Sequence, residues 1–314
     1  MNRGSAISTD FIMTIDTTKA GSASNTFILR CSNYGVYSAI IDWGDGSTST
    51  ITTYNDADLT HIYSVGGVYT VKISGHLPWI GFADTGDKLK VMSIENWGGN
   101  EWESFDNSFF GCSNMVVNAL DVPNLSNLTY LSDGRLYRTF RGCTSISTIS
   151  NFNQWDTSLI KFTVGMFMGC TGLTSLDMSN MDFSICTSFG SGTADSMFNG
   201  CTNLDIVNVT DMLINTSASV SVHSMFYNCG FFDLVGLDTW NISTINNYTS
   251  FLQLSTITTV EYDELLIAWD SQDAVNSLAV NFGSSKYTLA SASATARAGL
   301  IANDLWTITD GGGI

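Results

Sequence analysis

Charge is what this chain has least of. Asp, Glu, Lys and Arg make up 13% of its 314 residues, about half the usual share. Cations are the scarcer sign, with 12 Lys plus Arg against 29 Asp plus Glu and a formal net charge of −17. No basic surplus exists to displace phosphate counterions, which argues against a nucleic-acid partner. The same deficit argues against adsorption to anionic lipid. Only 2 prolines occur beside 28 glycines and 12% aromatics, so neither a collagen-like nor a disordered chain fits. No apolar run reaches the roughly 18 residues of a membrane span, so no membrane insertion is expected. Histidine is limited to His61, His76 and His223, and no G-x-S-x-G, H-E-x-x-H or G-x-x-x-x-G-K-[ST] motif occurs. The start, Met1 to Asp10, carries no apolar h-region, and the end, Thr309-Asp-Gly-Gly-Gly-Ile314, no sorting tail. The expectation is a chain made in a cytoplasm that reaches any outside location without general secretion.

The missing charge is replaced by 39 Ser and 35 Thr, 74 hydroxyl side chains in all. Seven cysteines, an odd number spread widely, suit reduced thiols better than a disulfide framework.

Those cysteines reveal a repeat. It reads Phe109-Phe110-Gly111-Cys112, Phe140-Arg141-Gly142-Cys143, Phe167-Met168-Gly169-Cys170, Phe198-Asn199-Gly200-Cys201 and Phe226-Tyr227-Asn228-Cys229, with steps of 31, 27, 31 and 28 residues. The repeat positions are read as Phe110, Cys112, Phe140, Cys143, Phe167, Cys170, Phe198, Cys201, Phe226 and Cys229. A second element, Leu173-Thr-Ser-Leu176-Asp177 and Leu204-Asp-Ile-Val207-Asn208, alternates as a short strand does. A third is Trp155-Asp156-Thr157-Ser158, echoed by Met181-Asp182-Phe183-Ser184 and Trp240-Asn241-Ile242-Ser243. A period near thirty predicts a solenoid whose rungs bury themselves against their neighbours. Each Phe then plugs the core, each Gly permits positive φ, and the Cys residues form a buried ladder rather than a metal site, since no C-x₂-C pair exists.

These units resemble the BspA-type leucine-rich repeat over roughly residues 85–260. Departures are Arg138-Thr139 before Phe140, Asn228 in place of Gly, Gly230-Phe231-Phe232 after Cys229, and Ser250-Phe251-Leu252, a degraded last rung. Residues 261–314 fit a cap: a helix burying Leu265, Leu266 and Trp269, an Ala-rich helix over 290–302, and a closing strand at Leu305–Thr309.

The first 76 residues have another grammar. Strands are predicted at Phe11–Ile15, Thr26–Arg30, Ala39–Trp43 and Gly67–Ile73. Trp43-Gly44-Asp45-Gly46-Ser47, His61-Ile62-Tyr63 and Gly67-Val68-Tyr69-Thr70-Val71 follow in order. This half resembles the PKD-type immunoglobulin-like module, which implies a β-sandwich with Trp43, Gly44, Asp45, Gly46, His61, Tyr63 and Tyr69 as its motif. Tyr69, Val71 and Ile73 should point inward, and His61 and Tyr63 should pack beside Trp43. The full expectation is β-rich and two-domain: a PKD-like β-sandwich (1–76), a leucine-rich-repeat solenoid (77–260) and a C-terminal cap (261–314). Pro78 and Gly81–Gly86 form the connector, and Trp97 and Trp102 cover the leading end of the solenoid.

Catalytic chemistry is hard to find. Asp156, Asp177, Asp182 and Asp211 recur near strand ends, where a pair of carboxylates can serve glycoside hydrolysis. Turn formation is the commoner role of such residues. His61 reads as packing, and His223 as solvated or capping. Asp42, Asp45, Asp56 and Asp58 suit Ca²⁺ in chemistry but lack EF-hand spacing. No cofactor, metal site or catalytic residue is therefore expected. The expected function is a non-enzymatic bacteriophage virion surface protein, binding other virion proteins and a host cell-surface protein or glycan. A virion protein, assembled in the cytoplasm and released by lysis, needs neither a signal nor an anchor, and PKD-like modules, which this half resembles, are also familiar decorations of phage heads and tails. A bacterial cell-surface adhesin is the alternative, since BspA-type repeats serve adhesion, and a carbohydrate-active enzyme is a weaker one. A homo-oligomer is compatible with either. The exposed strand positions, among them Ser175, Asp177, Ser179, Asp205 and Asn208, are the candidate binding face, with a phase that one residue would flip.

Overall fold

A computed structural model describes residues 8–128, 134–191 and 195–314. The segment Met1–Ile7, part of the start read for a leader, lies outside these residues. The fold is β-rich: among the described residues the strands form seven sheets and only two α-helices occur.

Eight strands open the chain: β1 (Phe11–Asp16), β2 (Thr26–Ile28), β3 (Ser38–Asp42), β4 (Thr48–Ile51), β5 (Thr60–Ile62), β6 (Val68–His76), β7 (Val91–Asn96) and β8 (Val116–Val117). Six of them make one sheet in the order β4-β3-β6-β1-β7-β8, and β2 pairs with β5 in a second. In β1 the buried residues are Phe11, Met13 and Ile15, every second one, as a sheet with one covered face requires. Val71 and Ile73 point inward from β6 as expected, while Tyr69 is only half-buried and stacks on Tyr63. The sheet does not stop at residue 76. β1 pairs antiparallel with β7, and β7 pairs parallel with β8, so one sheet joins both chain grammars.

A buried ion pair ties this region together. Lys90 Nζ, fully buried, donates to the carbonyls of Ser22, Ala23 and Thr26. Asp87, 1% exposed, accepts from the amides of Ser22 and Ile28 and lies 3.8 Å from Lys90 Nζ. Burial pushes the Lys90 ammonium down and the Asp87 carboxylate partly restores it.

From β7 onward the pairing changes to parallel. Ser175–Asp177, Ile206–Asn208 and Asp233–Val235 pair in register, with Leu176, Val207 and Leu234 aligned and buried. A second ladder joins Ser188–Gly190, Val220–Val222 and Ile245–Asn247. The Phe-x-Gly-Cys segments are tight turns linked by a third ladder. The amides of Phe109, Phe140, Phe167, Phe198 and Phe226 donate to the carbonyls of Thr139, Met166, Met197, Met225 and Phe251 at 2.9–3.0 Å. The chain ends in α1 (Thr259–Asp270), α2 (Ala292–Ala302) and the strand Thr307–Thr309. A capping box starts α1, with Thr258 and Glu261 exchanging side-chain to backbone bonds. α1 buries Leu265, Leu266 and Trp269, and Thr307–Thr309 pairs parallel with Ala279–Asn281.

Candidate functional site

The interior of the repeats is built from two columns. Phe109, Phe140, Phe167, Phe198 and Phe226 are fully buried, and their rings stack at centroid spacings of 5.8, 5.6, 5.5 and 5.2 Å, with planes within 13°. Each such pair adds about 0.5–1.5 kcal/mol beyond area burial. The column residue of the first unit is therefore Phe109, three before its cysteine, and not Phe110. Phe110 is half-buried and lies under the Arg141 guanidinium at 5.1 Å.

Beside the rings, Cys112, Cys143, Cys170, Cys201 and Cys229 are fully buried. Each thiol from Cys143 on donates to the phenylalanine carbonyl of the preceding unit: Cys143 to Phe109, Cys170 to Phe140, Cys201 to Phe167 and Cys229 to Phe198, at 3.0–3.1 Å. Burial pushes the Cys170 thiol up to about 12, so it stays protonated. The columns run on past the last Phe-x-Gly-Cys unit. Ser255 donates to the Phe226 carbonyl at 2.6 Å, where a cysteine would, and Phe282 with buried Ser285 occupies the following turn. The sequence hid this, because buried Leu252 takes the place of Phe and Ser255, three residues on, that of Cys.

The glycines of the tight turns have φ of +82° at Gly111, +69° at Gly142, +70° at Gly169 and +78° at Gly200; Asn228 takes their place at +55°. A Cβ at Gly169 would meet nothing within 4 Å, and at Gly142 or Gly200 only the preceding glycine at 3.9 Å. These positions form an open floor of bare backbone on the outside of the turns.

Beside Gly165 stands a cluster the sequence did not single out. Asp195 accepts from Arg138 Nε at 2.9 Å and Nη2, and from Arg141 Nη1 at 2.7 Å. The bond to Asp195 is the first cause holding the Arg138 guanidinium above its ordinary range. Arg138 stacks over Tyr137 at 4.6 Å, and Gly165 lies beneath it. The signal available in sequence was charge distribution: Arg135, Arg138, Arg141 and Lys161 stand together, whereas residues 162–285 hold twelve acidic residues and no Lys or Arg.

The acidic positions read as turn-formers are such. Asp156 accepts from Ser158, Asp177 from Ser179 and Asp182 from Ser184, each onto the amide two residues on. Asn124, Asn215 and Asn241 do the same. Asp211 differs: it has φ +55° and donates its amide to Thr239. The strand phase is now fixed, with Asp177 and Ile206 exposed and Ser175 and Asn208 half-buried around the inward Leu176 and Val207. Asp205 is exposed and Ser179 half-buried beside them.

In the first sheet region His61 stacks on Trp43 at 4.8 Å, and Tyr63 donates to the Trp43 carbonyl at 3.0 Å. Gly44 and Gly46 have φ of +82° and +92°. Asp45 accepts from Ser47 and lies 2.9 Å from His61 Nε2; the Ser47 hydroxyl, then His61, hold its carboxyl down at about 2. Ser47 and Asp45 approach the same imidazole nitrogen, so the three do not form a relay. Asp42 and Asp56 bond their own loops through Gly44 and Asp58. Among the described residues no group of three or more His, Cys, Asp or Glu converges as a metal site would require. His76 bonds Glu103 at 2.9 Å. His223 is half-buried rather than solvated, and burial pushes its imidazole down. An open cleft of about 430 Å³ lies between Thr9, Gly98, Gly99 and Leu120–Val122.

No curated protein and no solved structure matches this chain. One family model does, over residues 82–182 and again over 134–265. Together the two matches cover residues 82–265, more than half of the chain and all five Phe-x-Gly/Asn-Cys turns. The chain belongs to the family described as "Mycoplasma protein of unknown function, DUF285".

Proposed function

We propose that the chain is a non-enzymatic surface component of a bacteriophage particle, a fibre, tail-tip or capsid decoration that meets the host surface. In this reading residues 1–76 are a PKD-like β-sandwich, 77–260 a BspA-type leucine-rich-repeat solenoid and 261–314 its cap. The observation that carries it is the set of continuous parallel ladders. Short polar side chains, among them the exposed Asp156 and Asn241 and the half-buried Asn124 and Asp182, recur in local turns along the repeats. Such a surface recognises by shape and many short hydrogen bonds rather than by a single deep site. The first sheet is then the docking unit, and its sharing of β7 with the repeats keeps the two parts in one orientation. Other virion proteins and a host protein or glycan are the partners, and no cofactor or metal is needed.

A bacterial cell-surface adhesin is the second reading, favoured by the matching family's description, which names a bacterium. Mass spectrometry of purified particles and of washed cells separates the two. Stoichiometric recovery from particles supports the virion reading, and its copy number distinguishes a sparse tail protein from an abundant head protein. Recovery from intact cells and not from particles would replace it with the adhesin.

A further inference from the structure

The proposed surface has a place where a ligand of one charge would be selected. We infer that the Arg138–Arg141 pair binds the carboxylate groups of an acidic polysaccharide. The inference rests on the attachment reading and names its ligand class.

The two guanidiniums lie on one turn, a quarter exposed. Each lies over a ring, Arg138 over Tyr137 at 4.6 Å and Arg141 over Phe110 at 5.1 Å. A guanidinium is planar and presents its N–H groups in the fork that suits a carboxylate. Between them they carry ten N–H donors, and Asp195 takes three bonds from the pair. Asp195 thus shows the recognition geometry from within the chain, and it competes with any incoming carboxylate. The Asp84–Lys88 pair lies beside Gly111, and Arg135 and Lys161 are the nearest other cations in the sequence. Apart from Asp195, the other eleven acidic residues of 162–285 have no Lys or Arg within that stretch, and they repel an anion from it and focus it here.

The floor decides between a polysaccharide and an acidic peptide. The backbone amides of Gly142 and Gly169 already donate to the next turn, to Met168 and Asn199 at 2.8 Å. No unpaired edge remains there for a peptide to extend a sheet. What remains is a shallow strip of bare backbone with half-buried Met168 and Tyr227 along it. That strip suits flat sugar rings carrying regularly spaced anionic groups.

The test uses the full chain and fluorescein-labelled hyaluronate, with neutral dextran and polyglutamate as comparison probes, at low and physiological salt. Hyaluronate should bind at least tenfold more tightly than dextran, and more weakly as salt rises. R138Q/R141Q should lose at least tenfold, R138K/R141K should fall between, and D195N should gain at least threefold, each with an unchanged melting temperature or a corrected comparison at equal folded fraction. Hyaluronate binding no better than dextran, or binding untouched by R138Q/R141Q, overturns the inference. Polyglutamate binding as well as hyaluronate overturns the polysaccharide assignment. Neither result bears on whether the chain is recovered from particles, so failure here and failure of the virion reading are distinguishable.

Discussion

Two glycines three residues apart test the account of the turns, because they are glycine for different reasons. Gly169 has φ +70° and open space where a Cβ would go. Gly172 lacks positive φ, but a Cβ there would lie 2.1 Å from the Thr144 carbonyl oxygen. At Gly169 the cost of alanine is the left-handed backbone, about 1–2 kcal/mol, reduced by about 0.4–1 kcal/mol because the unfolded chain also loses freedom. Asparagine tolerates this region, as Asn228 does at the same place in its own unit. At Gly172 the neighbouring turn must move by about 1 Å to relieve the contact, which breaks packing worth about 1–3 kcal/mol. The expected order of destabilisation is G169N, then G169A, then G172A. Urea unfolding followed by tryptophan fluorescence measures it, with thermal midpoints falling about 2–4 °C per kcal/mol. The reasoning is refuted if G169A costs more than G172A, or if G169N costs more than G169A.

F109A should cost about 3–5 kcal/mol, as a buried ring lost from a stack does, while F110A should cost about 1 kcal/mol or less; equal losses in paired melts would reject the placement of Phe109 in the column. K90M should lose about 3–5 kcal/mol in urea titration, because Asp87 is then buried without its partner; a loss below about 1 kcal/mol would show that the pair does not clamp the loop. Asp45 has a depressed folded pKa near 2, so its contribution is present above its unfolded value and fades as pH falls through about 2. The stability gap between the wild type and D45N should therefore narrow from pH 5 to pH 2, and a gap that stays constant or widens in acid melts would contradict the role given to Ser47 and His61.

The parts of the fold legible in the sequence are those where one residue type has one use. Alternating apolar residues mark β1 because only one face of that strand is covered, and cysteine at thirty-residue intervals marks the turns because a small buried group recurs there. Legibility fails where two residue types serve equally. Ser255 makes the cysteine's hydrogen bond with oxygen in place of sulfur, so the ladder's continuation was invisible. In the first unit Phe109 and Phe110 are identical in type, and only the distance to the cysteine tells them apart. The pairing of β1 with β7 was equally hidden, since nothing in either strand names a partner some eighty residues away. The Arg138–Asp195 contact spans 57 residues and two turns, beyond any local pattern.

The direction of the turn ladder has a consequence for how the protein comes into being. Every bond in it runs from an amide made earlier to a carbonyl made about thirty residues later, as from Phe109 to Thr139 and from Phe140 to Met166. During translation the newest completed turn always displays unanswered amides at the ribosome end, and the next turn to emerge answers them. Each turn as it emerges meets a partner already made, so the ladder is compatible with assembly in the order of synthesis, like a zip whose slider is the exit tunnel. The first sheet obeys a different clock: β1 emerges first but must wait for β6 and β7 before either of its edges is paired.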